Sequence, residues 1–322
     1  MIRVALDAMG GDLGPRIAFD GAVEILSRHQ DVIITVYYSP ISDLVLPSYH
    51  ERLFLVACDD VVSGDEEIVL SLFRRRNSTL YQSLSALSQN TAEVVVTLGN
   101  TGAMVALARH ILGVLRPKLY PALIRELYSN PLRCLVDLGA NVHCPPSMLV
   151  GFAELGASYV EALGREAPKV GLLNVGVEST KGSVVIKETD RLLSSALWPP
   201  YYGYAEGTEL FEGDKNVIVC DGMVGNAVLK ASEGLLSFLM GRFKSSSTDN
   251  SLFEAFYQDE RRHGACLVGV RGNLVKGHGC SDFPAMVGAI EYGIDIARAD
   301  LCSAIEARLC NKPSGQDSEE MK

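Results

Sequence analysis

The sequence predicts an α/β fold, a mostly parallel, twisted sheet covered by helices on both faces. Two observations carry this. Short apolar, β-branched runs alternate with helix-periodic segments along almost the whole chain. Six of those runs end in glycine-bearing turns, Met9-Gly10-Gly11-Asp12, Gly99-Asn100-Thr101-Gly102, Gly139-Ala140-Asn141-Val142, Gly176–Gly182, Asp221–Asn226 and Gly277–Asp282. Ligand loops of parallel sheets gather at the carboxyl ends of the strands.

The elements follow in order. Ile2–Leu6 is a strand, and Pro15 opens a helix running to Arg28. Val32–Tyr38 is a strand, Ser42–Glu51 a helix and Leu53–Ala57 a strand. A helix starts at Glu66 and leads into Arg74-Arg75-Arg76, and a second starts near Ser78. Val94–Leu98 is a strand followed by the helix Ala103–Leu115. Ala122–Leu127 and Cys134–Leu138 read as strands, and Pro145-Pro146 starts the helix Ser147–Leu163. Lys169–Asn174 is a strand, with a helix after Gly182 reaching Leu197. Tyr201–Ala205 is weakly strand-like. Val217–Cys220 has the pattern of a strand buried on both faces, and Ala227–Leu239 has apolar residues at helical spacing. Residues 232–263 form a helical excursion. Cys266–Val270 and Leu274–Lys276 are short strands, Phe283–Leu309 is one long helix, and 311–322 is a polar, disordered tail. The whole of 1–310 reads as a single α/β domain.

Composition narrows the function. The chain has 322 residues, 48% of them hydrophobic, and a formal charge of −10, which argues against a nucleic-acid binder needing a broad basic face. Its eight cysteines form no CxxC pair and read as buried free thiols of a reducing compartment. There is no basic-then-apolar leader and no apolar run long enough to span a bilayer, which leads to the expectation of a cytoplasmic protein. Neither a GxGxxG nor a GxxxxGK[ST] loop is present, and no GxSxG elbow, HExxH or zinc-type spacing appears. A strand, a glycine turn and a helix in succession aim backbone N–H groups and the helix dipole at one point suited to an anion. An ordinary βα connection explains any single turn of this kind. Six of them make an anion-handling cleft the better reading.

Seven ordered blocks of the chain, LDAMGGDLGP, LGNTGAMVALA, LVDLGANVHCPP, VGLLNVGVESTKG, YAEGTELF, VCDGMVGNAVLKASEG and VKGHGCSD, resemble those of the bacterial phosphate acyltransferase family (PlsX). They span Leu6 to Asp282. The sequence departs from the family pattern at Leu119–Leu123 and at Thr208-Glu209. The resemblance implies a Rossmann-like three-layer α/β/α body, isopropylmalate-dehydrogenase-like and phosphotransacetylase-like. It implies transfer of a fatty acyl chain from acyl carrier protein to inorganic phosphate, giving acyl phosphate for phospholipid synthesis. It also implies a homodimer, a weak peripheral membrane contact in the excursion, no nucleic acid, and no cofactor or metal. Carried over residue by residue, Lys181 and Asn226 are the catalytic pair, with the Gly225 and Asn226 amides beside the developing oxyanion. His278 and Ser281 support them. Asp7, Gly10, Gly11, Asn100, Thr101, Gly102, Asn141 and Gly222 line the cleft. A coenzyme A-dependent phosphotransacetylase-like enzyme and an inactive binding protein of the same fold are the alternatives.

Overall fold

A computed structural model describes residues 1–40, 44–129, 131–164, 166–243 and 264–311. By internal contact the chain divides into two compact units, Met1–Pro117 with Arg262–Cys302, and Lys118–Arg261 with Ser303–Lys322. Both are built from mostly parallel strands covered by helices.

In the first unit, strands β1 (Ile2–Asp7), β2 (Val32–Tyr38), β3 (Leu53–Ala57) and β4 (Val94–Thr97) run parallel in the order β3-β2-β1-β4. β11 (Asn273–Lys276) adds parallel to β4, and β10 (Ala265–Val268) adds antiparallel to β11. Helices α1 (Arg16–Arg28), α2 (Thr79–Ser88) and α7 (Phe283–Arg298) cover these strands, and α3 (Thr101–Leu112) packs on α2. β4 shows why a β-branched run is needed here. Val94 and Val96 face Gly293 of α7, alternation turns Val95 the other way, and all three are fully buried. A strand covered on both faces must be apolar at every position. α1 buries Ala18, Phe19, Ala22, Ile25 and Leu26, a stripe at i, i+3 and i+4 spacing, against α7, where Gly21 admits Met286.

In the second unit, β6 (Leu132–Val136), β9 (Val217–Val219), β7 (Val170–Leu173) and β8 (Tyr201–Ala205) are parallel in that order, with β5 (Ala122–Ser129) antiparallel on β6. α4 (Pro146–Leu163) is buried along most of its length over β5, β6, β7 and β9, and Gly156 seats it on Val217 and Val136. α5 (Val184–Ser195) follows β7, and α6 (Gly222–Phe243) follows β9.

Four expected elements differ. Residues 44–50 carry no helix. Pro47 would sit inside it, where it removes a helical donor and disfavours the α conformation of Leu46. The helix expected from Glu66 is only a 3-10 turn, Leu70–Arg74; the Asn100 side-chain amide bonds the Glu66 carbonyl, which the Leu70 N–H would take in a helix, and the Gly64 carbonyl before it. The long last helix is two, α7 and α8 (Leu301–Cys310). Asp300 lies at φ 45°, and the Cys302 N–H bonds the Asn273 side chain at 3.1 Å. Finally, Asp221–Asn226 is not a turn before a helix: α6 begins at Gly222. Of the helical excursion, 244–263 lies outside the described residues, as does the tail from 312 onward.

Candidate active-site loops

Three parallel strands of the first unit end in one row, with Asp7 paired to Thr97 and Thr97 to Lys276 across β1, β4 and β11. Asp7 is 3% exposed. It accepts from the Thr97 hydroxyl at 2.8 Å and from the Met9 N–H at 3.3 Å. Burial raises its pKa, against the opposing pull of the Thr79 and Thr97 hydroxyls, the Met9 N–H and the charge of Lys276. The three loops that follow interlock. A Cβ on Gly10 would overlap the Gly99 backbone, and the Asp12 N–H bonds the Gly279 carbonyl at 2.8 Å. The Lys276 ammonium donates to the Leu98 carbonyl at 3.1 Å and also to that of Gly277. One cation thus ties the loop after β4 to the loop after β11.

Within this row, Gly11 rests on the Leu98 side chain, and Thr101 and Gly102 form the first turn of α3. Asn100 caps that helix, accepting from the Ala103 N–H at 3.0 Å, while its amide donates to Gly64 and Glu66. His278 and Ser281 sit on the loop into α7; Ser281 is buried, and its N–H bonds the His278 carbonyl at 3.1 Å.

The second unit repeats the device with β6, β7 and β9. Asp137, fully buried, closes β6. Its carboxylate accepts from the N–H groups of Leu123, Leu138, Ala140 and Asn141 at 2.7–3.3 Å and from the Asn141 amide at 3.2 Å. Burial raises its pKa while these donors oppose the rise. Asn141 also donates to the Pro121 carbonyl, so its amide hydrogens serve the loop. Gly222 and Gly225 are packing glycines. The Gly222 N–H bonds the Asn141 carbonyl at 2.8 Å, and a Cβ on Gly225 would overlap the Asp137 carbonyl oxygen. This close approach brings Asn226 over Gly139, whose φ of 113° requires glycine. Cys220, buried beneath, has its thiol pKa raised by burial, which keeps it an inert thiol.

One expectation about donors is corrected. The Gly225 N–H is no oxyanion donor, because it bonds the Asp221 carbonyl at 2.9 Å as part of α6. The Asn226 N–H lies one residue further into the same helix, where amides serve the backbone ladder. The Asn226 side chain is different. Like the exposed Lys181 ammonium, it has no side-chain partner among the described residues. Lys181 lies on the loop from β7 to α5, and Asn226 on the helix after β9. Those strands are hydrogen-bonded parallel neighbours, so both residues follow the same edge.

Sequence reasoning missed Asp137, Thr97 and Lys276. A signal was present: an aspartate stands at or within two residues of the end of three apolar strands, at Asp7, Asp137 and Asp221, with glycine close behind it. In each case its carboxylate accepts N–H groups of the segment that follows, a loop after Asp7 and Asp137 and the first turn of α6, through Val224 at 2.8 Å, after Asp221.

The model of the family described as "Fatty acid synthesis protein" matches residues 2–304. A phosphate acyltransferase of Polaromonas sp. is 35% identical over 97% of this chain and 91% of its own length. One from Vibrio vulnificus is 37% identical over 96% of each. Among solved structures, a branched-chain phosphotransacylase from Enterococcus faecalis superposes with a TM-score of 0.59 at 14% identity, covering 91% of this chain and 98% of that one. A phosphotransacetylase from Streptococcus pyogenes gives 0.58 at 11%, covering 93% and 94%. At such identities these two show the fold alone.

Proposed function

The chain belongs to the family described as fatty acid synthesis protein, and on that premise we propose that it transfers a fatty acyl group from acyl carrier protein to inorganic phosphate. It is an acyltransferase. The observation that carries this is the 35–37% identity to phosphate acyltransferases along nearly the full length of both chains. The acyl phosphate formed would feed phospholipid synthesis.

The loop geometry supports a mechanism by positioning and electrostatics. A phosphate oxygen attacks the thioester carbonyl carbon, a C–O bond forms, and charge collects on the carbonyl oxygen. As the C–S bond breaks, the proton of hydrogen phosphate goes to the departing thiolate, leaving acyl phosphate and free carrier thiol. Lys181, an uncommitted cation, is assigned to the phosphate, and the uncommitted carboxamide of Asn226 to the oxyanion. His278 and Ser281 are assigned supporting roles. Thr101 is assigned to the substrate-facing loop edge, while Gly10, Gly11 and Gly102, packed against Gly99, Leu98 and Ile68, join Asp7, Asn100, Asn141, Gly222 and Gly225 in holding the loops in shape.

A homodimer, and a peripheral contact with the membrane through 232–263, belong to the same proposal. α6 presents exposed Leu235 and Phe238 in the described part of that region. No helix of the described residues is long and apolar enough to cross a membrane.

The experiment is thiol release. Purified protein with hexadecanoyl-acyl carrier protein and phosphate should liberate free thiol, and Lys181→Ala should do so about 10²–10³-fold more slowly. Turnover with acetyl-coenzyme A alone would instead identify a phosphotransacetylase. Phosphate binding without turnover of either thioester would identify an inactive binding protein.

A further inference from the structure

Ile68, Val69 and Leu70 are three consecutive large apolar side chains that are 54%, 46% and 83% exposed. Such a run in water normally belongs to a loose loop, yet this one is tied down at both ends. Arg75 grips the stretch from behind, donating to Asp60 at 2.7 Å and to the Val61 carbonyl at 2.6 Å and pairing with Glu66. Asn100 holds it from the front, its amide on the Gly64 and Glu66 carbonyls at 3.0 and 3.1 Å. Backbone bonds from Val69 to Glu67 and from Leu72 to Val69 turn the chain sharply between those anchors.

The held segment is continuous with the loop row of the first unit. Ile68 Cδ1 occupies the space that a Cβ on Gly102 would need, at the first turn of α3 and the carboxyl end of β4. Gly102 thereby admits an apolar side chain to the loop edge where the Asp7–Thr97 row ends. We propose that Ile68–Leu70 is an acyl-chain subsite, an apolar strap over which the hydrocarbon of the thioester runs. This rests on the acyl-transfer reading, which requires a surface for a chain that water disfavours. It gives Asn100 a positioning role, holding the strap rather than touching phosphate. Apolar side chains held in water by ion pairs and a carboxamide remain available to a ligand, because the anchors supply the order that burial usually supplies.

The subsite predicts a dependence on chain length, which a purely structural loop would lack. The ratio of KM for hexadecanoyl-acyl carrier protein to KM for butanoyl-acyl carrier protein should rise about tenfold in the double variant Ile68→Ser/Leu70→Ser, since the longer chain alone loses apolar contact. Asn100→Asp keeps a capping oxygen for Ala103 but removes the donors to Gly64 and Glu66. It should raise the same ratio, with melting by circular dichroism showing that the fold persists. An unchanged ratio in the folded double variant, or equal KM changes for both substrates, overturns the subsite while leaving acyl transfer intact. Failure of the wild type to release thiol from either substrate removes the acyl-transfer reading, and the subsite with it.

Discussion

Asp7 and Thr97, ninety residues apart, sit side by side in the register of two parallel strands and share a 2.8 Å hydrogen bond. The pair closes two strands at once and sets the height of the loops above them. It also leaves a buried carboxyl whose pKa burial has raised above the ordinary value near 3.8. With a raised folded-state pKa, the native protein keeps the proton at pH values where the unfolded chain has lost it. The contribution of Asp7 is therefore fully favourable below the unfolded value and is lost as pH rises through the folded one. Asp7→Asn does not titrate. In urea unfolding followed from pH 3 upward, the stability of the variant relative to wild type should improve as pH rises through and above the carboxylate range. A difference that stays flat, or slopes the other way, contradicts the assignment.

Lys181 and Asn226 are the reverse case, side chains without partners among the described residues. Removing them should cost little stability, within about 0.5 kcal/mol. Rate is another matter. Loss of a group that meets charge developing in the transition state costs about 10²–10³ in kcat. Lys181→Ala and Asn226→Ala should therefore melt like wild type and lose that much turnover in the thiol-release assay. If either variant lost stability and activity together, its role would be architectural.

Asp137 should behave in the opposite way to that pair. Four backbone N–H groups converge on its buried carboxylate. Asp137→Ala strands them, and an unsatisfied buried polar group costs about 1–3 kcal/mol, so the total should reach about 3–5 kcal/mol even with partial repair by water. The urea midpoint measures this directly, and a loss below about 1 kcal/mol would mean that the loop does not depend on the carboxylate.

Much of this was legible in the sequence because buried parallel strands have little choice of residue. The runs at Val94–Val96 and Val217–Val219 fix the sheet and, through it, the edge where the glycine turns emerge. What was not legible depends on contacts between segments far apart in the chain. The stretch from Glu66 reads as a helix until Asn100, 34 residues on, takes the Glu66 carbonyl. Asp137 looks like a strand-end residue until Leu123 and Asn141 are brought to it. Lys276 looks like an ordinary lysine closing a strand until the loop after β4 crosses its ammonium. Gly222 and Gly225 were misread for a different reason. Glycine signals both a turn and a close approach, and only the neighbouring backbone decides between them.

Gly225 offers the sharpest test of that last distinction. An alanine inside a helix is normally better than glycine by about 1 kcal/mol, so a purely local view expects Gly225→Ala to stabilise α6. Here the added Cβ would overlap the Asp137 carbonyl oxygen, and the next two atoms it meets, the Cys220 sulfur at 2.9 Å and the Asp137 carbonyl carbon at 3.0 Å, are also closer than a Cβ tolerates. Two of the three are backbone or its carbonyl, which cannot swing aside as a flexible side chain would. The first turn of α6 must then lift from the loop after β6, carrying Asn226 away from Gly139. Gly225→Ala should therefore destabilise the protein, by about 1–3 kcal/mol as overpacking usually does. Turnover should fall further than stability alone explains, because a displacement of about 1 Å at a reacting group can cost 10²-fold. Melting temperature and kcat measured on the same preparation separate the two effects, and a variant more stable than wild type with full turnover would show that α6 does not rest on Asp137.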